Sequence, residues 1–123
     1  MATAMVVDDS RAVRMIVSRT LREIGYEVAE AGNGREALQK LEASGPVGLV
    51  LADWNMPEMD GLELLRQIRG APAYHAIPVI MVTTEAEVDQ MMLALEAGAN
   101  EYVMKPFTKE ILLDKLRLAG LRD

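Results

Sequence analysis

The amino-acid sequence predicts an α/β fold, a doubly wound sheet of five parallel strands flanked by five helices. Two central segments, residues 47–52 and 79–82, are apolar throughout, which is typical of strands buried on both faces of a parallel sheet. Segments with apolar residues at three- and four-residue spacing separate the strands, as in helices that pack one face against a core. This alternation favours right-handed crossovers with helices on both sides of the sheet.

Each predicted strand is a short stretch of strand-forming residues that a polar residue or a turn ends. The five strands cover residues 5–7, 26–31, 47–52, 79–82 and 101–104. The first strand ends in Asp8-Asp9, and the third ends in Asp53. The fourth ends in Thr83, and the fifth immediately precedes Lys105. Polar side chains therefore follow four of the five strands directly.

The five predicted helices fill the intervals between the strands and the stretch after the last strand. Their apolar positions recur at helical spacing: Val13, Ile16, Val17, Leu21 and Ile24; Ala37, Leu38 and Leu41; Leu62, Leu65 and Ile68; Val88, Met91, Met92 and Leu95; Ile111, Leu112, Leu116 and Ala119. Asn33, with Glu36 three residues later, resembles a capping box for the second helix. Asp60 and Thr108 are predicted to open the third and fifth helices.

Composition excludes several classes of function. The net charge of −6 argues against a direct nucleic-acid surface, which needs clustered lysine and arginine. Cysteine is absent, so disulfides, thiolate nucleophiles and cysteine-based zinc sites are excluded. No apolar run approaches the roughly 18 residues that cross a membrane, and Asp8 and Asp9 come too early for a signal peptide. We therefore expect a cytoplasmic protein that does not insert into a membrane, with residues 1–123 forming one domain.

Five polar residues follow strands whose carboxyl ends meet at one edge of the predicted sheet: Asp8, Asp9, Asp53, Thr83 and Lys105. Open α/β sheets bind ligands at this edge. Three carboxylates there can supply hard oxygen ligands to Mg²⁺, which takes substrate phosphate oxygens as further ligands. The sequence thus predicts a Mg²⁺ site that receives a phosphoryl group.

Asp53 is the candidate nucleophile at this site, because its carboxylate stands where a buried central strand ends at the ligand-binding edge of the sheet. Its carboxylate can attack phosphorus once Mg²⁺ reduces the negative charge. Lys105 and the Thr83 hydroxyl can bind the equatorial oxygens on which charge accumulates. An aspartyl phosphate would result.

The same residues resemble those of a response-regulator receiver domain along essentially the whole chain. The motifs that carry the resemblance are D-W-N-M-P-x-M-D-G, M-V-T and Y-V-x-K-P-F, and they are most similar to the single-domain chemotaxis members of that family. The resemblance implies a flavodoxin-like sheet with strand order 2-1-3-4-5. It also implies that Asp8 and Asp9 bind the metal, Asp53 accepts the phosphoryl group, Thr83 is a switch hydroxyl and Lys105 precedes a cis proline.

Further roles follow only from the resemblance. The backbone carbonyl of Asn55 completes the metal shell, and Asn55 and Glu85 flank the phosphoryl group and tune its hydrolysis. Tyr102 is expected to be an aromatic switch that moves with Thr83. Thr84 departs from the family, which usually has Ala or Gly there, so it bears on access to the phosphoryl group. With Glu87 three residues later, Thr84 also resembles a capping box, which is the better account of it.

The resemblance implies a single-domain response regulator of a chemotaxis-type two-component system, signalling through its fourth helix, fifth strand and fifth helix. Expected partners are a histidine kinase, a phosphatase and a downstream protein such as the flagellar motor switch, with the regulator itself a monomer. It would catalyse only its own phosphoryl transfer and dephosphorylation. The alternatives left open are a receiver domain excised from a larger regulator, a phosphate sink in a phosphorelay, a non-phosphorylated scaffold and, disfavoured by the aspartate spacing, a Mg²⁺-dependent aspartyl-phosphate phosphohydrolase.

Overall fold

The computed structural model describes residues 2–121, apart from the side chains of residues 85 and 88. Five parallel strands form one sheet in the order β2-β1-β3-β4-β5. They are β1 (Thr3–Val7), β2 (Glu27–Ala31), β3 (Leu49–Asp53), β4 (Val79–Thr83) and β5 (Glu101–Met104). The predicted fold class and strand order are confirmed. Among the described residues, no helix has the length and apolarity needed to cross a bilayer.

Five α-helices connect and follow the strands. They are α1 (Arg11–Ile24), α2 (Gly34–Ser44), α3 (Gly61–Gly70), α4 (Met91–Glu96) and α5 (Lys109–Leu118), and a 3₁₀ helix (Glu85–Gln90) precedes α4. The predicted caps Asn33, Asp60 and Thr108 each accept a hydrogen bond from the backbone amide three residues later. Ser10 caps α1 in the same way, although its role was not predicted. These caps satisfy amides that have no partner within the helix.

The sheet separates two apolar cores, because successive side chains of a strand point to opposite faces. On one face, Val50 and Ala52 of β3 pack in a cluster with residues of α2, α3 and α4. On the other face, Leu49 and Leu51 pack with residues of α1 and α5. All five residues of β3 are buried, as the unbroken apolar run predicted. The central strand therefore holds its last residue, Asp53, in a fixed position.

The predicted packing was wrong at four helix positions. Each was assigned to a packed face, but Ile16 and Met92 are both 65% exposed, Leu95 is 39% exposed and Ile111 is 44% exposed. The side chain of Val88, also predicted to pack, lies outside the described residues. Only Met91 and Ala94 of α4 are buried. A six-residue helix with a 3₁₀ turn before it presents a narrow stripe to the sheet, and Met92 lies about 100° from that stripe.

Candidate functional site

Asp53 lies at the carboxyl end of β3, between β1 and β4, and is 7% exposed. The order of strands reverses between β1 and β3, which is the place where doubly wound sheets bind ligands. The loop that follows Asp53 ends at Gly61, where the chain passes close to the backbone of Asp53. A Cβ atom added there would collide with the backbone carbonyl of Asp53 and with the side chain of Met81.

Two further carboxylates surround Asp53. Carboxylate oxygens of Asp8, Asp9 and Asp53 lie within 4.8 Å of one another, a spacing that could hold a metal ion. Asp8 is buried and Asp9 is exposed, so the cluster opens to solvent on one side. The Asp8 carboxylate accepts a hydrogen bond from the amide of Ser10 at 2.8 Å, and the Asp8 carbonyl accepts one from Arg14 at 2.6 Å. The loop after β1 is therefore held in place through both the side chain and the backbone of Asp8.

Lys105 supplies the positive charge in this cluster. Its Nζ lies 3.1 Å from Asp53 Oδ1 and 3.3 Å from Asp8 Oδ2. Its backbone amide donates to the Thr83 carbonyl at 2.7 Å, and the Lys105-Pro106 peptide bond is cis, as the resemblance implied. Burial lowers the pKa of Lys105, but the hydrogen bond and charge of Asp53, together with Asp8, outweigh burial and raise it. The ammonium group therefore stays charged.

The environment of Asp53 disfavours its ionised form. Burial, with smaller contributions from the charges of Asp8 and Glu87, raises the pKa of Asp53 from 3.8 to about 6, against the opposing effect of Lys105. At neutral pH the group is still a carboxylate, but it is a poorly compensated one. A cation, or a proton, would relieve this excess of negative charge.

The predicted switch hydroxyl is buried at the end of β4. Thr83 is 0% exposed, and its hydroxyl donates to the carbonyl of Thr84 at 3.1 Å. Thr84 is exposed, and its amide donates to the Glu87 carboxylate at 3.1 Å, which confirms one half of the predicted capping box. The other half is replaced by a backbone bond from the Glu87 amide to the Thr84 carbonyl. The side chain of Glu85 lies outside the described part of the chain.

Two contacts near the site were not predicted, one of Glu87 with Asn55 and one of Lys115 with Tyr102. Glu87 was interpreted only as a capping residue, yet its carboxylate also accepts a hydrogen bond from the side-chain amide of Asn55, in the loop after Asp53. The capping box was the only sequence signal for its position. Tyr102 is half-buried, and Lys115 Nζ lies 4.5 Å above its ring while pairing with Glu101 at 3.4 Å. The expected movement of Tyr102 stays a prediction.

Comparison with known proteins agrees with this geometry. Residues 4–117 match the family described as "Response regulator receiver domain". The chain belongs to that family. It is 45% identical over 121 residues to the "Chemotaxis protein CheY1" of Helicobacter pylori, across 97% of this chain and 98% of that protein. It is also 45% identical over 113 residues to the "Chemotaxis protein CheY homolog" of Campylobacter jejuni, across 91% of this chain and 87% of that protein.

Solved structures show the same likeness. The structure of the chemotaxis response regulator CheY4 of Vibrio cholerae superposes with a TM-score of 0.87 at 38% identity, over 97% of this chain and 98% of that chain. A putative response regulator from Chloroflexus aurantiacus gives a TM-score of 0.88 at 31% identity. This receiver domain is therefore similar to chemotaxis response regulators in both sequence and fold, as predicted.

Proposed function

We propose that this receiver domain accepts a phosphoryl group on Asp53 from the phosphohistidine of a histidine kinase, with Mg²⁺ as cofactor. The observation that carries the proposal is the environment of the Asp53 carboxylate. It ends the buried central strand, lies 3.1 Å from Lys105 Nζ and shares a cluster with Asp8 and Asp9. The similarity to proteins named for chemotaxis supports a chemotaxis-type two-component system.

The residues present fit Mg²⁺. Hard carboxylate oxygens of Asp8, Asp9 and Asp53, close together and partly open to solvent, are the ligands that this ion prefers. The backbone carbonyl of Asn55 is the fourth proposed protein ligand. Water would occupy the remaining positions, and a phosphoryl oxygen could replace one water. When bound, Mg²⁺ supplies charge neutralisation at the carboxylates and at the phosphoryl oxygens.

Phosphoryl transfer uses the side chains in distinct ways. A carboxylate oxygen of Asp53 forms the bond to phosphorus while the phosphorus–nitrogen bond to the kinase imidazole breaks. The imidazole nitrogen keeps the electron pair and takes up a proton. Lys105 already contacts Asp53, so its ammonium group is placed to bind a phosphoryl oxygen, and Thr83 is the second proposed donor.

Dephosphorylation is the hydrolysis of the aspartyl phosphate. The water oxygen attacks phosphorus, the bond from phosphorus to the Asp53 oxygen breaks and leaves Asp53 a carboxylate, and inorganic phosphate leaves with both protons of the water. Asn55, Thr84 and Glu85 are the residues proposed to tune this rate, alone or with a phosphatase. The domain would then be no enzyme toward other substrates, since it acts only on its own phosphoryl group.

Output is proposed to run through the surface formed by α4, β5 and α5. Thr83 moving toward the phosphoryl group and Tyr102 turning inward would alter this surface. Large apolar side chains on these elements are exposed: Met92, Leu93, Leu95, Met104, Ile111 and Leu118. Such side chains suit a protein partner, for which the flagellar motor switch is the proposal. We take residues 1–123 as one cytoplasmic, monomeric receiver domain.

Intact mass after treatment with acetyl phosphate tests the proposal. Wild-type protein should gain the mass of one phosphoryl group when Mg²⁺ is present, and should gain none with a chelator. Asp53→Asn should gain none in either condition. Asp114→Asn, which removes an exposed carboxylate on α5, is the matched control and should behave as wild type. A mass gain in Asp53→Asn, or in the absence of any divalent metal, would show that the proposed site is wrong.

A further inference from the structure

The carboxylate of Glu87 joins the two loops that follow β3 and β4. One oxygen, Oε2, accepts a hydrogen bond from the side-chain amide of Asn55. The other, Oε1, accepts from the backbone amide and from the hydroxyl of Thr84, each at 3.1 Å. We call these three contacts the Glu87 bridge. It spans the mouth of the site between the loop that follows Asp53 and the loop that follows Thr83.

Helix capping accounts for only part of this bridge. A capping glutamate needs to reach the amide of the capping residue three positions earlier, as Glu87 does at Thr84. Its contact with Asn55, 32 residues earlier in the chain, adds nothing to the 3₁₀ helix. The hydroxyl of Thr84 supplies a further contact that alanine or glycine would lack. The arrangement therefore calls for a role at the site itself.

The bridge also fixes the partner of the Thr83 hydroxyl. The carbonyl of Thr84 accepts hydrogen bonds from the Thr83 hydroxyl at 3.1 Å and from the Glu87 amide at 3.0 Å. Because Thr83 is fully buried, its hydroxyl must bond to a group within the protein. While Glu87 holds Thr84 in place, that group is the Thr84 carbonyl.

Charge makes the bridge sensitive to events at Asp53. Burial is the main cause of the raised pKa of Asp53, and the negative charge of Glu87 adds to it, so the two carboxylates repel each other. A phosphoryl group on Asp53 carries about 1.5 to 2 negative charges and replaces the single charge of the carboxylate, so the net negative charge at this place rises by about 0.5 to 1. Repulsion of the Glu87 carboxylate would then increase, and all three contacts of the bridge are made by that carboxylate.

We propose that Glu87 is a positioning residue whose bridge holds the Thr83 hydroxyl on the Thr84 carbonyl, and that a phosphoryl group on Asp53 opens the bridge by repulsion. The opening step rests on the proposed function, whereas the bridge in the unphosphorylated domain does not. Opening releases the amide of Asn55 and the hydroxyl of Thr83, so both become free to bind phosphoryl oxygens. Glu87 would thus couple the charge on Asp53 to the position of the switch loop.

Amide hydrogen exchange at Thr84, followed by NMR, tests the bridge before any phosphorylation. Glu87→Ala should exchange about tenfold faster than wild type, because a net contribution near one hydrogen bond is lost. Glu87→Gln keeps an acceptor for Thr84 and should stay within about threefold of wild type. Asp53→Asn removes the repulsion and should slow exchange, but should have no such effect in the Asp53→Asn, Glu87→Gln double variant. Glu42→Gln removes an exposed charge on α2 and is the control.

Steady-state phosphorylation with acetyl phosphate and Mg²⁺ tests the opening. Thr84 exchange in wild type should accelerate about tenfold, to the rate of Glu87→Ala, whereas Glu87→Gln should keep most of its protection. A wild-type rate in unphosphorylated Glu87→Ala overturns the bridge, and equal acceleration in wild type and Glu87→Gln overturns the role of charge. If wild type gains no phosphoryl mass, the proposed function fails, but the measurements on the unphosphorylated variants, Asp53→Asn included, still decide whether a charge-sensitive bridge exists.

Discussion

Removing the charge of Asp53 should stabilise the metal-free domain at neutral pH. Burial, assisted by Asp8 and Glu87, raises the pKa of this carboxyl from 3.8 to about 6 despite Lys105. At 1.36 kcal/mol per unit of pKa, this difference corresponds to about 3 kcal/mol. Ionisation of Asp53 therefore lowers the free energy of unfolding by about 3 kcal/mol. Asp53→Asn should recover about 1 to 3 kcal/mol of this, since an amide reproduces only some contacts of a protonated carboxyl.

The sign of the effect depends on pH. A carboxyl group whose pKa is raised on folding contributes most to stability at pH values below the pKa that it has in the unfolded chain, which is 3.8 for Asp53. That contribution is lost as pH rises through about 6, because the folded state then resists ionisation that the unfolded chain accepts. The advantage of Asp53→Asn over wild type should therefore be small near pH 4, grow up to about pH 6 and stay constant above it.

Urea unfolding of both proteins between about pH 4 and pH 8, with a chelator, measures this difference. Asp114→Asn, which removes an exposed carboxylate paired with Arg117, should change stability by less than about 0.5 kcal/mol at any pH. Mg²⁺ at 100 times its dissociation constant should raise the free energy of unfolding of wild type by about 2.7 kcal/mol, and that of Asp53→Asn by less. A wild type at least as stable as Asp53→Asn at pH 7 in chelator, or a difference that does not vary with pH, would refute the reasoning.

Two further substitutions test the packing around the site and the core. Gly61→Ala should lose at least about 2 kcal/mol of unfolding free energy and weaken the response to Mg²⁺, since the new Cβ collides with the Asp53 carbonyl and with Met81. Gly70→Ala is the control, because a Cβ added there meets nothing within 4 Å. Equal losses in the two variants would contradict the collision. Ser18→Ala should gain about 1 kcal/mol in urea unfolding, because the Ser18 hydroxyl is buried without a hydrogen-bond partner among the described residues, and a loss of stability would count against this.

Much of the fold was predictable because its signals are local. The apolar run before Asp53 required a strand buried on both faces, and the structure buries all five residues of β3. Asn33, Asp60 and Thr108 stand where the first turns of helices need acceptors, and each makes the expected bond. Parallel strands bring their carboxyl ends to one edge, so Asp8, Asp53 and Lys105 were predicted to meet, and they do. The strand order, in contrast, came from the family resemblance.

Predictions failed or were incomplete where the outcome depended on neighbours remote in sequence. Helical spacing identified apolar positions on α4 but not how narrow a stripe the sheet would cover, so the exposure of Met92 and Leu95 was missed. Periodicity likewise said nothing of the distance between the loops after β3 and β4. The contact of Glu87 with Asn55 could therefore not be deduced from a capping pattern that explains only its contact with Thr84.

The sequence by itself determined the alternation of strands and helices, the caps, and the gathering of acidic residues and a lysine at one edge, because each depends on periodicity or on position relative to a strand end. The tertiary structure alone decided how these groups affect one another. The raised pKa of Asp53 depends on its burial and on its distances to Asp8, Glu87 and Lys105, and the Glu87 bridge depends on the separation of two loops. Electrostatic and hydrogen-bond energies vary with distances of a few ångströms, and those distances are set by the pairing of the strands and by the packing of helices on both faces of the sheet.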